Sequence, residues 1–257
     1  MKTAVLLTLG LLMGLPAPHR AHAARLTYTL HVLGMPAMEA GMSVDLTPES
    51  YQLAIRFQTI GLAGAAFRGH QEQRARGTFL GGRTLPREYD STGTWRGQTR
   101  ATRLVYVNDV PAVTAMTPPD DTDRDPVPAA LLNRVIDPLS VIAELLRVIA
   151  ETGRCDGAAR TFDGRRVVVF TMKTAGEEDI LPSPRSRFAG RALRCDFTHE
   201  VVAGLRRGEG RAADTGPRRG TLWLAPLVQG GRKLPVRGTM ETRLIGDATM
   251  HLTAMEP

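Results

Sequence analysis

The stretch that decides the fold spans residues 137–153 and reads DPLSVIAELLRVIAETG. Asp137 is a favourable N-cap, Pro138 suits the first helical position, and Gly153 stands where a C-terminal cap belongs. Polar residues form only a narrow stripe along this stretch, so the helix should be buried on most sides. We therefore predict one buried helix over about 138–152. Its predicted buried side chains are Leu139, Ile142, Leu145, Leu146 and Ile149.

The sequence on both sides of this helix is typical of strands. Every second residue from Leu26 to Val32 is apolar, which is the alternation of a half-buried strand. Turn residues such as Gly81-Gly82 and Asn108-Asp109 separate further strand-like segments. We predict a mainly β fold, in which a long curved antiparallel sheet or open barrel wraps the helix. Residues 24–257 are expected to form a single domain.

The first 23 residues have the features of an export signal. A positive start at Lys2 precedes an apolar run over residues 4–15, and the segment ends with Ala21-His22-Ala23. This order of regions predicts a signal peptide that is cleaved after Ala23. The apolar run is shorter than the roughly 20 residues that span a bilayer, although an uncleaved anchor stays an alternative. We expect a periplasmic protein with no transmembrane helix in the mature chain.

Two cysteines, Cys155 and Cys195, follow the predicted signal peptide. An even number of cysteines in an exported protein favours a disulfide, and only one pairing is possible here. Two thiols without suitably spaced histidines are too few ligands for a zinc site. The sequence therefore predicts a structural disulfide between them.

The sequence does not assign catalytic, cofactor-binding or metal-ligating residues. Nucleophile-elbow, phosphate-loop and dinucleotide fingerprints are all absent. An Asp-rich loop over 117–128 lacks the glycine and glutamate of a calcium-binding EF-hand loop, which leaves only an irregular calcium site open. The net charge of +7 favours acidic partners, although a basic surface that is only solvated is the simpler interpretation. Nucleic acid is not expected, because the aromatic residues lie in strand patterns instead of among the basic residues.

Two groups of residues keep an enzyme acting on an envelope polymer open as an alternative. Glu72 could face Glu88 or Asp90 across neighbouring strands, as the two carboxylates of a glycoside hydrolase must. Asp196, His199 and Glu200 lie close together in sequence, but a strand would point His199 away from the other two. Pairing of the carboxylates with arginines on adjacent strands is the simpler interpretation.

Several segments together resemble one family of exported bacterial proteins, which is catalogued as domain of unknown function 3108. They are the tyrosine-containing strand and turn of 28–41, IDPLS at 136–140, FDGRR at 162–166, ALRC at 192–195, WLAP at 223–226 and LPVR at 234–237. The resemblance covers about residues 26–250. It implies periplasmic residence and a mainly antiparallel β fold, and it implies no established activity.

These observations favour a non-catalytic role. A buried helix inside a curved sheet leaves room for an apolar cavity. We therefore expect the protein to bind or carry an apolar or amphipathic envelope component, or to bind another envelope protein. An enzyme, a structural assembly factor and an outer-membrane barrel are the alternatives.

Overall fold

The computed structural model describes residues 24–66, 68–119, 123–242 and 246–256. The predicted signal peptide, residues 1–23, lies outside the described residues. None of the helices within these ranges is long and apolar enough to cross a membrane.

Strands dominate the described part of the chain. In chain order they are β1 Ala24–Val32, β2 Met35–Leu46, β3 Ser50–Thr59, β4 Gly69–Leu80, β5 Arg83–Trp95, β6 Gln98–Val107, β7 Val110–Thr117, β8 Gly157–Phe162, β9 Val167–Ile180, β10 Gly190–Ala203, β11 Arg218–Pro226, β12 Lys233–Met240 and β13 Ala248–Glu256. The helices are α1 Gly61–Ala66, α2 Ser140–Thr152 and α3 Arg211–Asp214, with 3-10 turns at Ala129–Leu132 and Gly208–Gly210.

All the strands in these ranges belong to one antiparallel sheet. Its order is β7-β6-β5-β4-β3-β2-β1-β13-β12-β11-β10-β9-β8, so the first and last strands of the chain pair at its centre. Helix α2 contacts β3, β4 and β5 on one side and β12 on the other. The prediction of a curved antiparallel sheet around a helix is therefore confirmed.

Helix α2 begins at Ser140 and ends at Thr152, and Gly153 follows in the left-handed conformation with φ of 71°. Leu139, just before its first turn, is buried, and so are Leu145, Leu146 and Ile149 on the helix. Ile142 is only half-buried, although it packs against the core. Helix α2 contacts β3–β5 and β12, and a side chain at the margin of these contacts keeps some access to solvent.

Cys155 and Cys195 form a disulfide and are both buried. Their Cα atoms are 6.1 Å apart. The bond joins the segment that follows α2 to strand β10. It therefore fixes the C-terminal end of the helix against the sheet.

The turn between β8 and β9 holds the two edges of the sheet together. Arg165 in this turn donates from Nη2 to the carbonyl oxygens of Thr117 at 2.7 Å and Pro118 at 3.3 Å, at the end of β7. Gly164 has φ of 93°, and a Cβ there would stand 2.3 Å from Cγ2 of Thr102. Only glycine allows the turn to lie this close to β6.

Candidate functional site

The two ends of the barrel differ in what fills them. Helix α2 lies toward the end that carries the turns at 81–82 and 108–109, because Glu144 of α2 lines a pocket there together with Gly82 and Asp109. The other end, which we call the mouth, carries the turns at 33–34, 96–97 and 163–166. Cavities lie inside the mouth, and Pro138, two residues before the start of α2, lines one of them.

The first cavity has a volume of about 560 Å³. Alternate residues over 71–73 of β4 and 89–95 of β5 line it, which places these side chains on the inward face of the sheet. We call it the aromatic cavity. Its lining consists of Phe57, Gln71, Gln73, Tyr89, Ser91, Gly93, Trp95, Arg100, Ala101 and Thr102 from the strands, and Asp123, Arg124, Pro138, Asp163, Arg165, Arg166 and Arg206 from the connecting segments.

The indole of Trp95 has a fixed place in the aromatic cavity. Gly69 lies beneath it, where a Cβ would come within 2.2 Å of the ring. Trp95 Nε1 donates to Gln71 Oε1 at 3.4 Å, and Gln71 Nε2 donates to Ser91 Oγ at 2.7 Å. Phe57 packs against the same ring with centroids 6.0 Å apart. The cavity is thus preorganised, with an aromatic wall and an oriented row of polar groups.

A second cavity of about 430 Å³ lies beside the first, and we call it the histidine cavity. Val168, Phe170, Phe197, Val201 and Met240 make it largely apolar. His199 lies among them, stacked on Phe170 at 5.7 Å. Burial, and then the charges of Arg218 and Arg166, lower the pKa of His199 and favour the neutral imidazole. Its Nδ1 is buried without a hydrogen-bond partner.

Arg166 and Arg206 line both cavities and stand between them. Asp163 Oδ2 accepts a hydrogen bond from Arg166 Nε at 3.0 Å. Its Oδ1 accepts hydrogen bonds from the backbone N–H groups of Arg165 and Arg166. Arg206 comes from a different part of the chain, the connection between β10 and β11. The site therefore has a cationic middle with an aromatic compartment on one side and an apolar compartment on the other.

Two connections, residues 123–128 and 204–217, cover part of the mouth, and we call them the mouth loops. They pair backbone to backbone between Arg124 and Arg206. A buried ion pair joins Arg124 Nη1 to Asp214 Oδ2 at 2.9 Å, with side-chain exposures of 6% and 5%. Burial alone would raise the pKa of Asp214. The N–H of Arg206 and the charge of Arg124 outweigh burial and lower this pKa.

The carboxylates of the Asp-rich loop lie against arginines. Asp125 accepts from Arg207 at 3.2 Å and from Arg211 at 2.6 Å, and Asp123 is 3.6 Å from Arg100. Asp120 and Asp121, two further aspartates of this loop, lie outside the described residues. Within the described ranges no group of three or more histidine, cysteine, aspartate or glutamate side chains could hold a metal ion.

A polar network lies at the start of α2, beside the aromatic cavity. The Oδ1 of Asp137 accepts the N–H groups of Leu139 at 3.0 Å and Ser140 at 2.9 Å, and the Ser140 hydroxyl donates to Oδ2. Tyr51 donates to Ser140 Oγ at 2.6 Å, because the single proton of that hydroxyl is already used. Burial raises the pKa of Asp137 to about 6, against the opposing effect of these hydrogen bonds. Sequence spacing identified the Asp137 cap but not Tyr51.

The residues that suggested a hydrolase are not brought together. Glu72 accepts from Arg56 at 3.1 Å and from Arg74, and Glu88 lies 2.8 Å from Arg76. On β10, Asp196 accepts from Thr221 at 2.8 Å, whereas His199 lines the histidine cavity. Glu72 and Glu88 thus pair with arginines on adjacent strands, as the simpler interpretation predicts.

The family model described as "Protein of unknown function (DUF3108)" matches residues 27–253. No curated protein matches the chain. Among solved structures, the chain is similar to a beta-barrel-like protein of the domain of unknown function DUF1849 from Brucella abortus, at 13% identity and with a TM-score of 0.51. The alignment covers 92% of this chain and 98% of that one. This likeness concerns the fold alone.

Proposed function

We propose that this chain, which belongs to the DUF3108 family, is an exported, non-catalytic binding or carrier protein of the cell envelope. Its ligand would be an amphipathic anion, held in the mouth of the barrel. The observation that carries the proposal is the position of Arg166 and Arg206 between an aromatic cavity and an apolar one.

The chemistry of the two cavities matches a molecule with one acidic group and an apolar body. Guanidinium groups bind carboxylate and phosphate oxygens with charge-assisted hydrogen bonds. The walls on either side are aromatic or aliphatic, and each volume falls in the range of about 300–1,000 Å³ that is usual for ligand pockets. The unpaired Nδ1 of His199 would gain a partner from a polar ligand atom.

Two features support residence in the envelope. The disulfide between Cys155 and Cys195 fits an oxidising compartment. The segment ending at Ala23 has the sequence of a cleavable signal. The mature chain would then be released into the periplasm, where lipids and lipid precursors supply amphipathic anions.

The test uses anilinonaphthalene sulfonate, a fluorescent amphipathic anion, as the probe. We expect saturable binding to the native protein, and a loss of affinity of about tenfold in each of the variants Arg166→Gln and Arg206→Gln, because one charge-assisted contact is removed. Arg74→Gln is the matched control, since Arg74 pairs with Glu72 on the opposite face of the sheet. Circular dichroism establishes that each variant is folded.

Two results would overturn the proposal. One is probe binding that Arg166→Gln and Arg206→Gln leave unchanged while both variants are folded. The other is native mass spectrometry and solvent extraction of protein purified from the periplasm that yield no anionic amphiphile.

A further inference from the structure

We propose that the mouth of the barrel docks on an anionic lipid bilayer. This inference rests on the proposed function and extends it, because it names the surface from which the ligand would enter. The docking element is an apolar tip, made of the turn at 33–36 and helix α1 at 61–66.

The apolar tip is exposed and carries no charged residue. Leu33 is 68% exposed and Leu62 is 73% exposed, and Met35 beside them is also exposed. The two segments lie together, because α1 contacts β2 and the N–H of Ile60 donates to the carbonyl of Ala37 at 3.0 Å. Ten residues of turn and helix thus form one apolar surface at the end of the barrel.

Leu33 has a backbone conformation that is unfavourable for leucine. Leu33 and Gly34 form a two-residue hairpin turn with φ of 52° and 77°. Positive φ at both positions favours Asn-Gly or Gly-Gly, whereas a leucine in the left-handed region is strained. At the opposite end of the barrel the equivalent turns are Gly81-Gly82 and Asn108-Asp109, which fit this preference. At the mouth, therefore, a leucine occupies a turn position that glycine or asparagine would occupy with less strain.

Basic residues surround the apolar tip and favour an anionic surface as its partner. Arg68 and Arg96 are exposed and meet where the N–H of Arg96 donates to the carbonyl of Arg68 at 3.2 Å. Arg185 lies on another side, with Nη2 about 3.7 Å from where a side chain at Gly34 would begin. Apolar side chains inserted among headgroups, with arginines at the level of the phosphates, are the arrangement of a peripheral membrane protein.

The apolar tip is continuous with the cavity. Helix α1 connects β3, which carries Phe57, to β4, and the backbone N–H of Gly69 at the start of β4 donates to Thr59 Oγ1 at 3.0 Å. Further inside the barrel, the indole of Trp95 lies over Gly69. A bilayer against the apolar tip would therefore face the aromatic cavity, and an amphiphile could pass between them with little exposure to water.

The test measures co-sedimentation of the full mature protein with vesicles of phosphatidylethanolamine and phosphatidylglycerol. We expect partitioning that falls on addition of salt and is lost on vesicles of pure phosphatidylcholine. Leu33→Asn should reduce partitioning by about tenfold, because one leucine side chain leaves the membrane. The same variant should unfold at an equal or higher temperature, since asparagine suits the left-handed position.

Leu80→Asn is the matched control. Leu80 is 70% exposed and stands next to the turn at the opposite end of the barrel, so its replacement should leave partitioning unchanged. Equal losses for Leu33→Asn and Leu80→Asn would overturn the docking proposal, and so would a native protein that stays in the supernatant with anionic vesicles.

The test separates this proposal from the proposed function. A protein that binds anilinonaphthalene sulfonate through Arg166 but ignores vesicles would retain the carrier role and refute docking. A protein that partitions through Leu33 but binds the probe independently of Arg166 and Arg206 would refute the carrier role alone.

Discussion

We expect Asp137 to make a large contribution to the pH dependence of this protein's stability. Its carboxyl group is fully buried, and burial raises its pKa from 3.8 to about 6. In the unfolded chain the same group ionises near the ordinary value. The protonated group therefore favours the folded state, and this contribution is fully present below about pH 4 and lost as the pH rises through about 6. A shift of about two units corresponds to about 3 kcal/mol.

The perturbation that isolates this effect is Asp137→Asn. Asparagine is also a good N-cap, and its carbonyl oxygen can accept the N–H groups of Leu139 and Ser140 as the carboxylate does. Because asparagine does not ionise, the variant should lack the contribution from position 137. The difference in unfolding free energy between native protein and variant should change by about 3 kcal/mol between about pH 7 and about pH 3, in favour of the native protein at the lower pH.

Urea unfolding with the disulfide intact measures this difference. The comparison between two proteins at each pH cancels the other titrating groups, such as Asp214, whose lowered pKa acts in the opposite direction. Asp137→Ala is the second variant, and it should cost about 2–5 kcal/mol at every pH, because it removes the cap and leaves the buried Ser140–Tyr51 pair without its acceptor. A difference between native protein and Asp137→Asn that stays constant over this pH range would refute the reasoning.

Three further outcomes follow from the geometry. Replacing Cys155 and Cys195 together by serine should lower the unfolding free energy by about 4 kcal/mol, because the disulfide closes a loop with a sequence separation of 40 residues and so restricts the unfolded chain. Denaturant titration measures this loss. Arg124→Ala should cost about 3–5 kcal/mol, because it leaves a buried carboxylate unpaired, and replacing both partners by apolar residues should recover most of the loss. Gly69→Ala should displace the indole of Trp95, seen as a shift in tryptophan emission and weaker binding of anilinonaphthalene sulfonate; an unshifted emission would count against the assigned packing.

The elements with a strong local pattern were predictable from the sequence. The cap at Asp137, the apolar circumference of α2 and the alternation in β1 all depend on residues close together in the chain. Strands β7 and β8 have no such signal. β7 is mostly exposed and β8 reads GAARTF, and both lie at the sheet edges, where a strand pairs on one side only. Their existence depends on the neighbour with which they pair, so local periodicity does not reveal them.

The candidate site was less predictable than the fold because its charged residues come from distant segments. Arg100, Arg166 and Arg206 meet only when the turn between β8 and β9 closes against β6. One local signal was available in β4, whose inward positions hold Gln71 and Gln73 before the buried Ala75. Amides at positions that alternation assigns to the interior indicate a cavity that is not packed with apolar side chains.

The same residues that start the helix also limit the cavity, which connects the stability of the fold to its proposed role. Asp137 caps the start of the helix beside the aromatic cavity, and Pro138 forms part of the cavity wall. Helix α2 therefore fills one end of the barrel, where the turns are Gly-Gly and Asn-Asp, and leaves the other end hollow. At the hollow end the turns instead carry Leu33 and Arg96. Gly34 and Gly97 follow them, so the ends differ only at the first position of these turns, where leucine and arginine are less favourable than glycine or asparagine. This difference accords with the proposed site at the mouth, because stability alone does not account for Leu33 and Arg96 at these positions.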